Sequence, residues 1–307
     1  MREVAVIEAL GAGYFFYLRR NKSDPNDVLY ELAKEAALLV TDDYPVFIAA
    51  AHNERVPKRL NIPFYTVDAS CIVPMNAFEK REWAAYTIRP KIHKLLFEYL
   101  EPVDAIHLRR RWNAPKPEWH TDVRDVARLV ASCTINHTIK PSISFTGGAS
   151  AARKHLEQFV ANRIGRYSSD RNSPSNHATS ELSPYLHFGQ IGAVEVALAA
   201  KSNPEFLEEL IVRRELAFNF VRHCPNPDSL EALPEWAQLT LRKHAADHRD
   251  FLPMTAGLSG LLAPNPSTQD WNTYEHGGNL VALAKQGYCG MQQVTCPACA
   301  SGVPHKH

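Results

Sequence analysis

The sequence predicts an α/β region followed by an all-α region and an irregular C-terminal tail. Strand and helix patterns alternate over roughly the first hundred residues, which is typical of a sheet covered by helices. Helical periodicity dominates from about Phe145. After Asp250 the chain is rich in Gly, Pro, Ser and Thr and has no sustained period. A chain of 307 residues is long enough for two domains.

In the first third, two or three strand patterns surround one helical pattern. An aromatic strand is predicted at 13–20, "GYFFYLRR", and Asp24 is predicted to cap the following helix, with Pro25 in its first turn. Apolar strands are predicted within "ALLVTDDYP" and "IPFYTVDASCIVP". This order favours a partial Rossmann-like parallel sheet domain, with fewer than the roughly five strands of a full doubly wound sheet.

The middle of the chain combines a basic helix with a basic loop. "FEKREWAAYTIRPKIHKLLFEYL", from Phe78, predicts a long helix broken at Pro90. "HLRRRWNAPKPEWH" at 107–120 contains two prolines and predicts a crossing linker. The simplest interpretation of both basic stretches is a solvated helix face and a solvated loop.

Amphipathic helices are predicted in the second half. "GGASAARKHLEQFVANRI" begins one, and "PEFLEELIVRRELAFNFVRH" at 204–223 has a broad apolar stripe. A further helix is predicted in "LPEWAQLTLRKHAADHRD", with Pro234 near its first turn. The predicted division of the chain is therefore an α/β domain at 1–105, a linker at 106–144, a helical domain at 145–250 and a tail at 251–307.

Composition and charge exclude several classes of protein. Hydrophobic residues make up 45% and charged residues 22% of the chain, as in ordinary globular proteins. No run of about 18 apolar residues predicts a membrane span, and Glu3 and Glu8 interrupt any signal peptide, so a cytoplasmic location is expected. The formal net charge is +1, so nucleic-acid binding would need a local basic patch. Six cysteines in a chain of this length do not suggest a disulfide scaffold.

The stretch "TSELSPYLHFGQI" at 179–191 concentrates small hydroxyl residues. Thr179, Ser180 and Ser183 lie within five residues, and Pro184 follows. Ser183 can cap a helix that has Pro184 at its first position. A helix start offers backbone N–H groups and a positive dipole end to an anion such as phosphate. On these residues alone, a capped helix with an aromatic core face is the simpler interpretation.

Five stretches, in order, resemble the class II DNA photolyases, flavoproteins that repair cyclobutane pyrimidine dimers. The resemblance spans most of residues 13–250 and implies a helical FAD-binding domain after the α/β domain. It implies FAD as cofactor, UV-damaged DNA as partner, and light-driven electron transfer from reduced FAD as the activity. We also expect a monomer without membrane association. The stretches are "TDDYP", "VDASCIVP", "YTIRPKIHKLL", "RYSSDRNSPSNHATSELSPYLHFGQI" and "FLEELIVRRELAFNF…DSLEALPEWAQLTLRKHA".

The resemblance also implies roles for individual residues. On the 204–223 helix, Glu215 would hydrogen-bond the flipped bases and Asn219 would line the same pocket. Arg171 and Arg213 would contact DNA. Surface ion pairs and helix packing remain open as alternatives, and the register on this helix is fixed only to within one residue. The residues implied to bind FAD are Tyr167, Thr179, Ser180, Leu182, Ser183 and Arg214.

The resemblance ends near Asp250, and the tail resembles no part of the family. Because family members continue there with helices that complete the FAD pocket, we expect weak FAD binding. Family members also have several strands before the segment that matches "GYFFYL"; an antenna chromophore would bind in that region, so none is expected here. An inactive relic and a cryptochrome-like flavoprotein without repair activity remain alternatives. A zinc-binding tail module is a further alternative, although accidental sequence is favoured over a metal site. Its ligands would be Cys289, Cys296, Cys299, His305 and His307.

Overall fold

The computed structural model describes residues 2–103 and 107–245. The predicted tail and its Cys and His residues lie outside these ranges. Within them the chain forms a two-stranded parallel sheet and a larger helical assembly, as the predicted fold class requires. None of the described helices combines the length and apolar character that a membrane crossing needs.

The sheet confirms two of the predicted strands. Strand β1 (Leu39–Asp42) pairs in parallel with β2 (Phe64–Val67), and Leu39 lies opposite Phe64. The crossover between them contains α3 (Phe47–Arg55), while α1 (Arg2–Leu10) and α2 (Val28–Ala33) precede β1. Both strands end in or next to an aspartate, because Asp42 closes β1 and Asp68 follows β2.

The strand predicted at 13–20 is wrong. This segment is extended, but its partners are irregular backbone around residues 112–134 rather than another strand. The Thr121 amide donates to the Phe16 carbonyl at 2.7 Å, whereas the Phe16 amide donates to the ring nitrogen Nδ1 of His120 at 3.1 Å. Because a side chain replaces a carbonyl in this exchange, no regular ladder forms.

The predicted cap at Asp24 is also wrong. Helix α2 begins at Val28, and Asp27 precedes it without a capping hydrogen bond from its side chain. The Asp24 carboxylate instead accepts hydrogen bonds from the amides of Arg20 at 2.6 Å and Asn21 at 3.3 Å. When the side chain of an aspartate closes a local turn in this way, it is not available to cap the helix.

Pro90 does not break its helix. Helix α4 (Ala85–Tyr99) continues through Pro90, although a proline removes one backbone donor. Ile88 and Ile92, on either side of it, are completely buried in the main core. Core packing therefore holds the helix together across the proline.

The remaining described elements are helical, as predicted after Phe145, whereas α5 lies within the predicted linker at 106–144. The main core joins α4 to the later helices through residues such as Phe159, Phe206 and Leu210. It thus connects two regions that the sequence assigned to different domains, and the domain boundaries stay a prediction. The later helices are α5 (Val126–Ala131), α6 (Ala149–Asn162), α7 (Tyr167–Asp170), α8 (Ser183–His187), α9 (Ala193–Ala199), α10 (Pro204–Leu207), α11 (Arg214–His223) and α12 (Glu235–Lys243).

The helix predicted at 204–223 contains a feature that the sequence did not reveal. It starts as α10, where the side chain of Asn203 accepts a hydrogen bond from the Phe206 amide. It then passes through a π-helical segment (Glu208–Arg213) before α11. π-Helical turns are rare and are frequently found at functional sites. This segment carries the carboxylates that pair with arginines of α4 and of the loop after α7.

Replacing Phe206 with alanine tests the core. Phe206 is completely buried, and its ring centroid lies 4.8 Å from that of Phe159. We expect Phe206→Ala to lower the free energy of unfolding in urea by about 3–5 kcal/mol, because it leaves a cavity. The control is Trp236→Ala, whose side chain is 69% exposed and whose loss should change stability by about 0.5 kcal/mol or less. Similar losses for the two variants would contradict this core.

Candidate functional site

Glu215 is buried, and only one of its two carboxyl oxygens has a hydrogen-bond partner among the described residues. It lies in the first turn of α11 and is only 2% exposed. Its Oε1 accepts hydrogen bonds from the amides of Ile72 at 2.6 Å and Val73 at 3.3 Å. Its Oε2 is buried and has no hydrogen-bond partner among the described residues.

Burial decides the charge of this carboxyl. It raises the pKa of Glu215 to about 8, against the opposing effects of the Ile72 amide, the Arg214 charge and the Val73 amide. The carboxyl is therefore predominantly protonated at neutral pH. Because Oε1 already accepts amide hydrogens, we assign the proton of the neutral form to Oε2. The site thus presents a neutral acid whose free oxygen can donate a hydrogen bond.

Two more predicted residues of this helix hold the same segment of chain, residues 68–82, which we call the strap. Asn219 is buried, and its Oδ1 accepts from the Glu82 amide at 2.6 Å while its Nδ2 donates to the Lys80 carbonyl at 3.1 Å. Arg214 donates from Nη1 to the Ser70 carbonyl at 2.6 Å. The structure therefore brings Glu215, Asn219 and Arg214 together along one side of the strap.

Asp68, at the start of the strap, was missed by the sequence analysis. Its Oδ1 accepts from the amides of Ser70 and Cys71, both at 2.9 Å, and its Oδ2 accepts from the Met75 amide at 2.8 Å. An aspartate directly after a strand, followed by small residues, is typical of such a turn. That signal was present in "VDAS".

The hydroxyl segment, residues 179–183, forms a mostly buried bend. Ser180 and Leu182 are buried, Thr179 is half-buried, and Glu181 has a left-handed backbone with φ of 57°. The side-chain oxygen of Ser180 accepts weakly from the Leu182 amide at 3.4 Å. These residues follow one another around the bend, but Leu182 contributes its side chain to the main core.

The predicted cap at Ser183 is wrong, and the reason bears on function. Helix α8 begins at Ser183 itself, Leu182 precedes it, and no side chain caps it. The hydroxyl of Ser183 is buried without a hydrogen-bond partner among the described residues. A buried hydroxyl left unpaired costs about 1–3 kcal/mol, so this oxygen is suited to meet a polar ligand. Helix α8 has only five residues and offers little dipole of its own.

Tyr167 and Arg171, four residues apart in the sequence, lie next to each other, and their roles stay predictions. Tyr167 is buried against Phe159 and Phe206, and the Arg171 guanidinium lies 5.6 Å from the centroid of its ring. Arg171 also donates from Nη1 to Oε1 of Glu209 at 2.8 Å. Burial raises the pKa of Tyr167, partly opposed by its hydrogen bond with Arg171. Sequence reasoning missed Glu209, which lies in the π-helical segment.

Arg213 faces a different environment from Arg214 and Glu215. Its side chain is more than half exposed, and its Nε lies 3.7 Å from Oε1 of Glu208. Glu208 also receives two hydrogen bonds from Arg89, at 2.9 Å and 2.7 Å, which tie the π-helical segment to α4. Arg213 is thus available at the surface, while Glu208 is held mainly by Arg89. Within the part of the chain that the structure describes, no group of His, Cys, Asp and Glu residues could hold a metal ion.

Comparison with known proteins confirms the resemblance to photolyases. The chain is 36% identical over 241 residues to the deoxyribodipyrimidine photo-lyase of Methanothermobacter thermautotrophicus. This match covers 75% of this chain and 51% of that protein. It is 36% identical over 259 residues to that of Arabidopsis thaliana, with coverages of 77% and 50%. For the enzyme of Potorous tridactylus the identity is 34% over 244 residues, with coverages of 74% and 44%.

The chain therefore spans about half the length of these curated relatives. No family model matches it. A structure of a bacterial class III photolyase from Agrobacterium tumefaciens matches with a TM-score of 0.46 and 19% identity, over 73% of this chain and 51% of that one. The assignment to class II stays a prediction.

The raised pKa of Glu215 predicts a pH dependence of stability. The folded chain keeps a proton up to pH of about 8, whereas an ordinary glutamate releases it near 4.5. Between these values the free energy of unfolding should fall by up to about 1.4 kcal/mol per pH unit relative to Glu215→Gln. Urea unfolding across this pH range measures the difference.

Glu208→Gln is the matched control. Its hydrogen bond with Arg89 lowers the pKa of Glu208, so this carboxylate stabilises the fold above its ordinary pKa and loses that effect as the pH falls. Between pH 4.5 and about 8 the profile of Glu208→Gln should therefore run parallel to that of the parent, and it should deviate, with the opposite sign, only below about pH 4.5. Parallel pH profiles for the parent and Glu215→Gln would show that Glu215 is ionised in the folded chain.

Proposed function

We propose that this chain is a class II deoxyribodipyrimidine photolyase that binds FAD and UV-damaged DNA, as a monomer, and carries out light-dependent repair of cyclobutane pyrimidine dimers. The observation that carries the proposal is the 34–36% identity to named deoxyribodipyrimidine photo-lyases over about three quarters of the chain. The buried site around Glu215 supports it, because its chemistry suits a reaction in which negative charge develops on a bound base.

The hydroxyl segment fits the phosphate groups of FAD. Ser183 offers a buried hydroxyl that has no partner among the residues 2–103 and 107–245, and a donor of this kind is satisfied by a phosphate oxygen. In this proposal Thr179, Ser180 and Ser183 hold the pyrophosphate, Leu182 anchors the bend in the core, and Tyr167 and Arg214 contribute from either side. FAD, when bound in its reduced form, supplies the light-driven electron transfer.

Arginine side chains would hold the DNA. Arg213 is exposed, and Arg171 lies half-buried in its pair with Glu209. Positively charged side chains of this kind bind phosphates and release counterions from the DNA. Arg171 would have to share or exchange its Glu209 partner when it meets a phosphate. The DNA affinity of Arg171 is thus set partly by the protein's own carboxylate.

Glu215 would act on the flipped lesion. Two fused pyrimidines stack poorly, so they leave the duplex at low cost. A neutral carboxyl can donate a hydrogen bond from Oε2 to a pyrimidine carbonyl, and it can stabilise negative charge on the dimer without repelling it. In this proposal Asn219 keeps the strap in place beside Glu215, since both of its polar atoms are bound to strap backbone.

DNA binding tests the role of Arg171. We expect the chain to bind a UV-irradiated oligonucleotide more tightly than an undamaged one in fluorescence anisotropy. Arg171→Ala should weaken both and reduce the slope of log affinity against log salt by about 1, because one phosphate contact is lost. The control is Arg153→Ala, which removes an arginine paired with Glu195 on the surface. Equal affinities for Arg171→Ala and the parent would remove Arg171 from the DNA interface.

FAD binding tests the role of Ser183. Loss of a hydrogen bond to a charged oxygen is worth about 1.5–3 kcal/mol, so Ser183→Ala should weaken FAD affinity roughly ten- to a hundredfold. Titration of the chain with FAD, followed by flavin fluorescence, measures this. Ser132→Ala is the control, because Ser132 is exposed and lies far along the chain from this segment. FAD binding together with no loss of dimers from UV-irradiated DNA under blue light would favour the cryptochrome-like or relic alternative.

A further inference from the structure

We propose that Asp68 is a positioning residue for Glu215: it folds residues 68–75 into a turn whose amides hold Oε1 of Glu215 and leave Oε2 to face a ligand. The inference rests on the proposed function only for the role of Glu215 toward a bound ligand. The positioning itself concerns only the contacts between the strap and α11, and it is tested without FAD or DNA.

The turn is built on the Asp68 carboxylate. This residue comes directly after β2, and its two oxygens accept three backbone hydrogen bonds, from Ser70, Cys71 and Met75, at 2.8–2.9 Å. Hydrogen bonds to an ionised acceptor are roughly twice as strong as those between neutral groups. Three of them on one side chain fix the course of the backbone between Asp68 and Met75.

The two amides in the middle of this turn are those that meet Glu215. Ile72 and Val73 donate to Oε1 at 2.6 Å and 3.3 Å. Their own side chains are buried in the main core, so their amides cannot turn away without a loss of packing. The direction in which these two N–H groups point is therefore set by Asp68 on one side and by the core on the other.

The sheet supports the same turn from behind. The Ala69 amide donates to Oδ1 of Asp42, at the end of β1, at 3.2 Å. Arg214, next to Glu215, donates to the Ser70 carbonyl at 2.6 Å. The end of the sheet, the turn and the start of α11 are thus joined by a continuous series of polar contacts.

The consequence for Glu215 is an unequal pair of oxygens. Oε1 is occupied by two amides, while Oε2 is buried and has no partner in the described part of the chain. Without the turn the two oxygens would be equivalent, and the carboxyl could rotate. The charged or titratable groups that influence Glu215 are Arg214 on its own helix and Asp68 and Cys71 on the strap.

Two substitutions of Asp68 separate geometry from charge. Asp68→Ala removes all three acceptors, and Asp68→Glu keeps the charge but moves the oxygens by one methylene. The quantity measured is the pKa of Glu215, obtained from the pH dependence of urea unfolding of each variant relative to the same variant carrying Glu215→Gln. Asp68→Glu should raise this pKa, because loosened amide bonds no longer favour the charged form. Asp68→Ala also removes the Asp68 charge, which itself raises the pKa of Glu215, so the pKa of Glu215 should be lower in Asp68→Ala than in Asp68→Glu.

The control is Asp43→Asn, at the same edge of the sheet, where Asp43 pairs with Arg222 at 3.2 Å. It should leave the pKa of Glu215 unchanged. If Asp68→Ala does not fold, Asp68→Glu alone decides the matter. An unchanged pKa of Glu215 in Asp68→Glu, even with lower overall stability, would overturn the inference and leave the proposed function intact. A chain that repairs no DNA would instead refute the proposed function and leave the positioning standing.

Discussion

The contact between the Glu215 carboxyl and the strap is the constraint around which the rest of the described structure is arranged. Burying a carboxyl is costly unless it is neutral or well paired. Here two amides occupy one oxygen, and burial keeps the proton on the other. The strap must therefore follow α11 closely, and Asn219, one turn along, repeats the arrangement with the amide of Glu82. The contacts between the strap and α11 therefore join the end of the sheet to the helical core.

The π-helical segment before α11 is likewise held in place by polar contacts with other parts of the chain. Glu208 is held by Arg89 of α4, and Glu209 is held by Arg171 beyond α7. Both pairs are partly shielded from solvent, which makes them more effective than exposed ion pairs. The helix 204–223 therefore links a buried acid on one side to an arginine that we propose for DNA contact on the other.

Much of the architecture could be predicted from local patterns, and the exceptions share a physical cause. Strands β1 and β2 have the apolar composition of strands, and helices such as α6 and α9 follow apolar periodicity because their buried side chains enter the main core. The segment at 13–20 has a strand-like composition, but its partners are irregular, which no local pattern encodes. Pro90 is tolerated because Ile88 and Ile92 are buried around it. The π-helical segment depends on partners more than a hundred residues away in sequence, such as Arg89.

The candidate site divides in the same way. Tyr167 and Arg171 lie together as expected from their spacing of four residues, and Glu215 is buried where α11 meets the strap. Asp68, Glu208 and Glu209 were missed because their importance comes from tertiary contacts rather than from a motif. Ser183 was predicted to cap a helix, and its hydroxyl is instead buried with no partner in the described part of the chain, which only the folded chain reveals.

The central claim is that Glu215 is a neutral acid in the folded chain at neutral pH. Infrared difference spectroscopy between the parent and Glu215→Gln tests it most directly, because a protonated carboxyl and a carboxylate absorb in separate regions. We expect a protonated-carboxyl band that is absent from the variant and that disappears as the pH rises past about 8. A carboxylate band for Glu215 at neutral pH would contradict it.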